Sequence, residues 1–462
     1  MRGSLSQLIT AVSGARMTAN ADFDSVSTDS REAGAGALFV ALRGEHFDAH
    51  DFLGEVAAKD AAAVVAEELP DGFVLPALVV PDTLKALGQI ANAWRGQFAI
   101  PVIGVTGSNG KTTVKEMIAS ILMAAFGEEA RLATRGNLNN EIGVPLTLMR
   151  LSPLHKVAVI EMGMNHPGEI ARLAAIAVPS VAMVNNAQRE HQEFMHTVEA
   201  VAQENGAVLS ALRSDGVAVF PGDDIYTPLW HGLAGSRRSI TFGLDDTCNV
   251  TCSHHITQLG SELLVVVREN GKDARQFPVR LSAAGVHNVR NALAAIACCV
   301  GAGVPDEAIE RGLELFAPVS GRLQRKSAAC GATVIDDTYN ANPDSVRAAI
   351  DVLAAAPGPH ILVLGDMGEV GTQGQQFHEE IAAYAASCGI ADVLVTGELA
   401  RFMAGAPGVQ HFEQFDDMVA ALHARLGSNS GATVLVKGSR FMKMERVVLH
   451  LLGQIDTSKE AH

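Results

Sequence analysis

From about residue 100 onward the chain repeats one texture. A short apolar run is followed by Gly, Asn or a charged residue, and then by a stretch whose apolar positions recur three and four apart. Runs at 101–105, 157–160 and 181–184 predict strands buried on both faces of a parallel sheet, joined by crossover helices, because such strands lose the alternation of half-exposed ones. Ahead of this region, shorter runs at 38–42, 62–66 and 77–80 mix with a helical stretch at 84–94 and predict a small α/β unit. Between 216 and 278 the rhythm breaks into what reads as antiparallel strands, the last at 262–268, and a helix over 287–301 follows. The segment 312–321, with Pro318, Ser320 and Gly321, reads as a linker. Beyond it, runs at 332–335, 360–364, 392–396 and 432–436 predict a second parallel sheet with helices between its strands. We find no short-period repeat and no low-complexity tract.

Length agrees with this division, since 462 residues at roughly 150 per domain suggest about three cores. The expected fold is α/β with three domains, at 1–98, 99–316 and 317–462. Only 5% of residues are aromatic, so the cores must be built from Ala, Val, Leu and Ile. A net charge of -16 repels phosphate backbones, and no nucleic-acid partner is expected. Six scattered cysteines make a poor disulfide framework and fit a reducing compartment. Cys248 and Cys252 lack a second pair at zinc-site spacing and read as ordinary thiols. The most apolar late stretch, 292–304, falls short of the roughly 20 residues a membrane span needs. A cytoplasmic protein without membrane insertion is the expectation.

The chemistry concentrates at Val102-Ile-Gly-Val-Thr-Gly-Ser-Asn-Gly-Lys-Thr-Thr113. A short strand enters a loop, and a helix leaves it with Val114, Met117, Ile118, Ile121 and Leu122 on one face. Gly107 and Gly110 let the backbone curl so that the N–H groups of Ser108, Asn109 and their neighbours point at an anion, and the helix N-terminus adds partial positive charge. Lys111 can then reach terminal phosphates, and the Thr112 hydroxyl, followed by Thr113, can ligate Mg²⁺. Where the usual pattern has its first glycine this chain has Val105, one departure in an otherwise ordered strand, loop, Lys-Thr and helix.

Ligands of open parallel sheets collect beyond the carboxyl ends of strands. Glu161 stands at such an end, and His191 follows the 181–184 strand through Asn185 and Asn186, so either suits a divalent cation beside a triphosphate. Spacing alone equally allows a loop carboxylate and a surface histidine. The loop Gly136-Asn-Leu-Asn-Asn-Glu-Ile-Gly143 offers the amides of Asn137, Asn139 and Asn140 to a polar substrate, or is simply turn chemistry. Asp336-Asp-Thr-Tyr-Asn-Ala-Asn-Pro343 ends a strand with Asp337, Tyr339 and Asn340, and leaves the same two readings open. Lys437 to Arg440, after the last strand, reads as solvated surface.

Taken in order, these segments resemble the Mur ligase family. The resemblance also rests on Ser27-Thr-Asp-Ser-Arg31, on Leu38-Phe-Val-Ala-Leu-Arg-Gly-Glu-His-Phe-Asp-Ala-His-Asp51, on Gly285-Val-His-Asn-Val-Arg-Asn291, on Gly321-Arg322, on Gly365-Asp-Met-Gly-Glu369 and on Val436-Lys-Gly-Ser-Arg440. It implies a substrate-binding first domain, a central ATP-binding domain on the phosphate loop and a Rossmann-like third domain. It further implies an ATP- and Mg²⁺-dependent ligase, acting as a monomer, whose partners are UDP-N-acetylmuramoyl-tripeptide and D-alanyl-D-alanine. The Asp-Asn-Pro-Arg signature of the family member that adds a diamino acid is absent from the sequence.

By the same resemblance, Ser27, Asp29, Ser30, Arg31, Arg43 and Phe47 would hold the uridine diphosphate part. Lys111 would meet the phosphates, Thr112 and Glu161 the Mg²⁺, and His191 a second metal. Asn288 and Asn291 would lie on the adenine side, with Arg322 and Asp337 closing onto the nucleotide. The family commonly carries a carbamylated lysine on the helix after the histidine, and here that position is Asn205. The second metal is then expected to rest mainly on His191, the ATP phosphates and the acyl substrate, with the Asn205 carbonyl a weak ligand and Glu204 on the same helix a substitute. Rival readings are a folylpolyglutamate synthase of the same family, a phosphate-loop NTPase that switches a protein partner, and a module that binds ATP without turning it over.

Overall fold

In a computed structural model of the chain, residues 1–454 are described, apart from 45–46, 258–259, 270 and 429–430. The architecture is mixed α/β, as expected. Four sheets carry it, of nine, six, five and two strands.

The nine-stranded sheet is the frame of the phosphate loop. Its order runs Arg131–Ala133, Val157–Glu161, Val102–Thr106, Val181–Val184, Val217–Pro221, Arg238–Phe242, Val250–Ile256, Ser261–Val267, Arg275–Leu281. Val102–Thr106 sits between Val157–Glu161 and Val181–Val184, parallel to both. This puts the loop, Glu161 and the turn after Val184 at one edge, the carboxyl ends of neighbouring strands. Helix Lys111–Phe126 buries the predicted face, with Val114, Met117, Ile118, Ile121 and Leu122 all at 0% exposure, against the buried helix Val286–Gly301. Each such side chain contributes roughly 1.5–3 kcal/mol by leaving water.

One expectation needs correction. Val217–Pro221 and Arg238–Phe242 run parallel to Val181–Val184 and extend the parallel sheet, with helix Thr227–Ala234 as the crossover. Antiparallel pairing is confined to Val250–Ile256, Ser261–Val267 and Arg275–Leu281. Apolar runs report burial, and direction is set by the connection. The linker is also shorter than expected, because helix Asp306–Glu314 takes up its first residues. Gly312 lies inside that helix, where a Cβ would meet the Ile121 backbone.

The six-stranded sheet holds Gln324–Ser327, Thr333–Asp337, Thr433–Lys437, His360–Leu364, Asp392–Thr396 and Val409–Phe412, all parallel except its first pair. Ser25–Ser27, Ala37–Val40, Ala63–Ala66 and Ala77–Val79 pair in parallel in the N-terminal sheet. All six cysteines are free, and among the described residues no helix is long and apolar enough to cross a membrane.

Candidate active site

The phosphate loop is braced from beneath. Gly107 and Gly110 have φ of 132° and 82°, the left-handed side that favours glycine. A Cβ on Gly110 would strike the side-chain amides of Asn185 and Asn291. Those amides form a chain. Asn185 Nδ2 donates to the Asn109 carbonyl at 2.7 Å and to Asn291 Oδ1 at 2.9 Å, while Asn291 Nδ2 donates to Asn288 Oδ1 at 3.2 Å.

Asn205 completes the brace. Its Oδ1 accepts from Thr106 Oγ1 at 2.6 Å and from Gly107 N at 3.0 Å, in full burial. Glu204 is committed as well, with its carboxylate accepting from Gly168 N at 2.8 Å and Ile170 N at 2.9 Å, at the start of helix Glu169–Ala177. Neither oxygen set is free to ligate a cation, because Asn205 Oδ1 is taken by the Thr106 hydroxyl and the Gly107 N–H, and the Glu204 carboxylate by two backbone N–H groups.

The loop opens into a cleft of about 820 Å³. Ser108, Asn109, Gly110, Lys111, Thr112 and Thr113 line one side, with Glu161, His191, Asn288 and Asn291 beside them. Asn137, Asn139 and Asn140 line another wall, and Arg322, Asp337, Tyr339 and Asn340, at and beside the strands of the six-stranded sheet, face the loop. The cleft therefore unites most of the residues expected from sequence. Ser27, Asp29, Ser30, Arg31, Arg43 and Phe47 do not line it. Arg43 is held by Asp48, Glu67 and Glu68 at 2.6–2.8 Å, and Arg31 by Asp29. Glu45 and His46 of that loop lie outside the described residues.

Charges inside the cleft are placed by name. Lys111 Nζ donates to the Gly107 and Ser108 carbonyls and lies 3.3 Å from Glu190 Oε2. Glu161 Oε1 accepts from Asn139 Nδ2 at 2.8 Å and Thr112 Oγ1 at 3.2 Å, whereas its buried Oε2 has no partner. His191 Nδ1 lies 2.7 Å from Glu369 Oε2, a short approach that is not aligned as a hydrogen bond. It still holds the Glu369 carboxyl below the usual range.

Residues beside the six-stranded sheet close over this loop. Arg322 NH2 donates to Thr112 Oγ1 at 2.9 Å and its guanidinium lies over the Tyr339 ring at 4.1 Å. Asn342 Nδ2 donates to Asn109 Oδ1 at 2.9 Å, and Arg189 spans to Asp344 and Glu380. Lys437 is buried, 2.5 Å from Asp337 Oδ2 and 2.8 Å from the Asn340 carbonyl. That corrects its reading as solvated surface. Burial pushes the Asp337 carboxyl up, against the pull of Lys437 and Arg322. Burial, aided by Lys437, pushes the His287 imidazole down to about 4.

Three family models cover most of the chain: the Mur ligase catalytic domain at 22–95, the Mur ligase middle domain at 105–299 and the Mur ligase glutamate ligase domain at 321–440. The chain belongs to the Mur ligase family. A curated relative, the UDP-N-acetylmuramoyl-tripeptide--D-alanyl-D-alanine ligase of Escherichia coli, is 39% identical over 96% of this chain and 97% of its own. Among solved structures, MurF of Acinetobacter baumannii is similar at a TM-score of 0.91 and 34% identity, covering 98% of this chain and 99% of its own. MurF of Thermotoga maritima, solved in complex with ADP, is similar at 0.83 and 27%, covering 93% and 97%.

In this Mur ligase, sequence reasoning missed Glu190, Arg189 and the bracing role of Asn205. Arg189 and Glu190 immediately precede the histidine that was singled out, and that pair of opposite charges is the signal that could have found them.

Proposed function

We propose that the chain joins D-alanyl-D-alanine to UDP-N-acetylmuramoyl-tripeptide with ATP, giving UDP-N-acetylmuramoyl-pentapeptide, ADP and phosphate in cytoplasmic peptidoglycan precursor synthesis, as a monomer. The observation that carries the reading is the braced Lys111 loop opening into a cleft that Arg322 and the Asp337–Lys437 pair close from the side of the six-stranded sheet.

A carboxylate is a poor electrophile at neutral pH, so ATP first phosphorylates the free terminal carboxylate of the tripeptide. Charge on the transferring phosphoryl is offset by Lys111 and the N–H groups of residues 108–113. The bare, buried Glu161 Oε2 and the adjacent Thr112 hydroxyl fit Mg²⁺. When bound there, it supplies charge compensation for the triphosphate. His191 faces the same phosphates, Asn288 and Asn291 take the adenine side, and Arg322 and Asp337 complete the nucleotide site. The dipeptide amine then attacks the acyl phosphate, and phosphate leaves from the tetrahedral intermediate.

Residues 1–98 form the domain for the uridine diphosphate part, through Ser27, Asp29, Ser30, Arg31, Arg43 and Phe47. Arg43 must then exchange a carboxylate partner for phosphate. Residues 99–316 bind ATP, and Asn137, Asn139 and Asn140 guide the tripeptide toward the loop. Residues 317–462 receive the dipeptide near Tyr339 and Asn340, and their closure keeps water from the acyl phosphate. Mass spectrometry of a reaction holding ATP, Mg²⁺, UDP-N-acetylmuramoyl-tripeptide and D-alanyl-D-alanine tests this. Pentapeptide appears only with all four, and its absence with a folded, ATP-binding protein overturns the reading.

A further inference from the structure

Glu190 is 7% exposed, yet its Oε1 has no hydrogen-bond partner. Its Oε2 lies 3.3 Å from the Lys111 ammonium and 3.8 Å from His191 Nε2. The side chain lines the same cleft as the phosphate loop, Glu161 and His191. A buried carboxylate oxygen left bare is costly unless a cation or donor completes it.

The neighbouring imidazole is oriented for the same purpose. Glu369 Oε2 lies 2.7 Å from Nδ1 of His191, so Nε2 is the nitrogen on the Glu190 side. The two side chains otherwise expected to serve a second cation are occupied. Asn205 holds Gly107 and Thr106, and Glu204 caps a helix.

We propose that Glu190 serves two partners in succession. Without nucleotide it holds Lys111. Once the ammonium turns to the phosphates, Glu190 becomes, together with His191, the protein ligand of a second divalent cation. One positive partner replaces another, so the buried carboxylate stays compensated at each stage. Among the described residues no three His, Cys, Asp or Glu side chains already converge on one point. The remaining ligands are therefore nucleotide oxygens and water, the usual complement of Mg²⁺ at phosphate sites. Mn²⁺ accepts carboxylate oxygen and imidazole nitrogen alike and serves as the probe.

This inference rests on the nucleotide site proposed above, and its test separates the two. The full chain is saturated with β,γ-methylene-ATP and titrated with Mn²⁺, with free ion read by electron paramagnetic resonance and bound nucleotide measured in the same samples. Wild type takes up two Mn²⁺, and Glu190→Gln binds the second at least about tenfold more weakly. A wild type that fails to bind the analogue overturns the nucleotide site and this role with it. Normal nucleotide uptake with an unchanged second Mn²⁺ in Glu190→Gln, or a single Mn²⁺ in wild type, overturns the role of Glu190 alone. A second arm is independent of that variant's folding. Lys111→Ala, which strips the ammonium from Glu190, gains Mn²⁺ affinity without nucleotide, and no gain overturns the proposal.

Discussion

Replacing Asn205 by Ala removes no expected contact with substrate, yet it should damage both stability and nucleotide binding. The Asn205 side chain is fully buried, and its Oδ1 takes one hydroxyl and one backbone donor from the base of the phosphate loop. Gly107 N can only donate, so the atom 3.0 Å from it is the amide oxygen. Deleting that oxygen strands the Gly107 N–H at about 1–3 kcal/mol, while the Thr106 hydroxyl can turn and loses less. With the small void left behind, the total is about 2–4 kcal/mol. Trp230 is a natural reporter, because its Nε1 donates to the Ala202 carbonyl on the helix that carries Asn205. Urea unfolding followed by its fluorescence should show a lower midpoint for Asn205→Ala. Binding of an ATP analogue should weaken about tenfold as the loop loses its anchor. Because an amide cannot be carbamylated, activity should not change in CO₂-depleted buffer. A wild-type midpoint with wild-type nucleotide affinity would refute the bracing argument.

Lys111→Ala should lower ligation on the order of a hundredfold or more while the chain stays folded, since the ammonium stabilises transferring charge; steady-state kinetics beside circular dichroism check this. Gly312→Ala places a methyl against the Ile121 backbone, and should cost about 1–3 kcal/mol by overpacking, read as a lower unfolding midpoint. His287 is held near 4, below its ordinary 6.5, so the folded chain resists a proton that the unfolded chain accepts. Stability therefore falls as pH drops from 6.5 toward 4. Since the residue is half-buried at the cleft, the loss is on the order of 2 kcal/mol. His287→Gln should flatten this part of the stability profile, and an unchanged slope would count against it.

Much of this site was legible because its physics is local. Gly107 and Gly110, a Lys-Thr pair and one apolar helix face suffice to announce a phosphate loop, and Glu161 is read from the strand it ends. What escaped depends on partners far along the chain. Asn205 meets Gly107 across 98 residues, so its chemistry could not be read from its own helix. Lys437 ends a strand as many surface lysines do, and only the arrival of Asp337 buries it. The region 216–278, which holds Val217–Pro221 and Arg238–Phe242, reads as strands from its sequence, but a short apolar run has the same pattern whichever way it points. Gly312 falls within the stretch read as a linker because glycine serves both bends and close helix contacts, and here the contact with Ile121 decides.

The central claim is that the carboxylate of the tripeptide is activated as an acyl phosphate. Label its terminal carboxylate with ¹⁸O, run the ligation with ATP, Mg²⁺ and D-alanyl-D-alanine, and weigh the released phosphate. The account predicts one ¹⁸O in each phosphate formed and one retained in the new amide. Unlabelled phosphate alongside pentapeptide would contradict it.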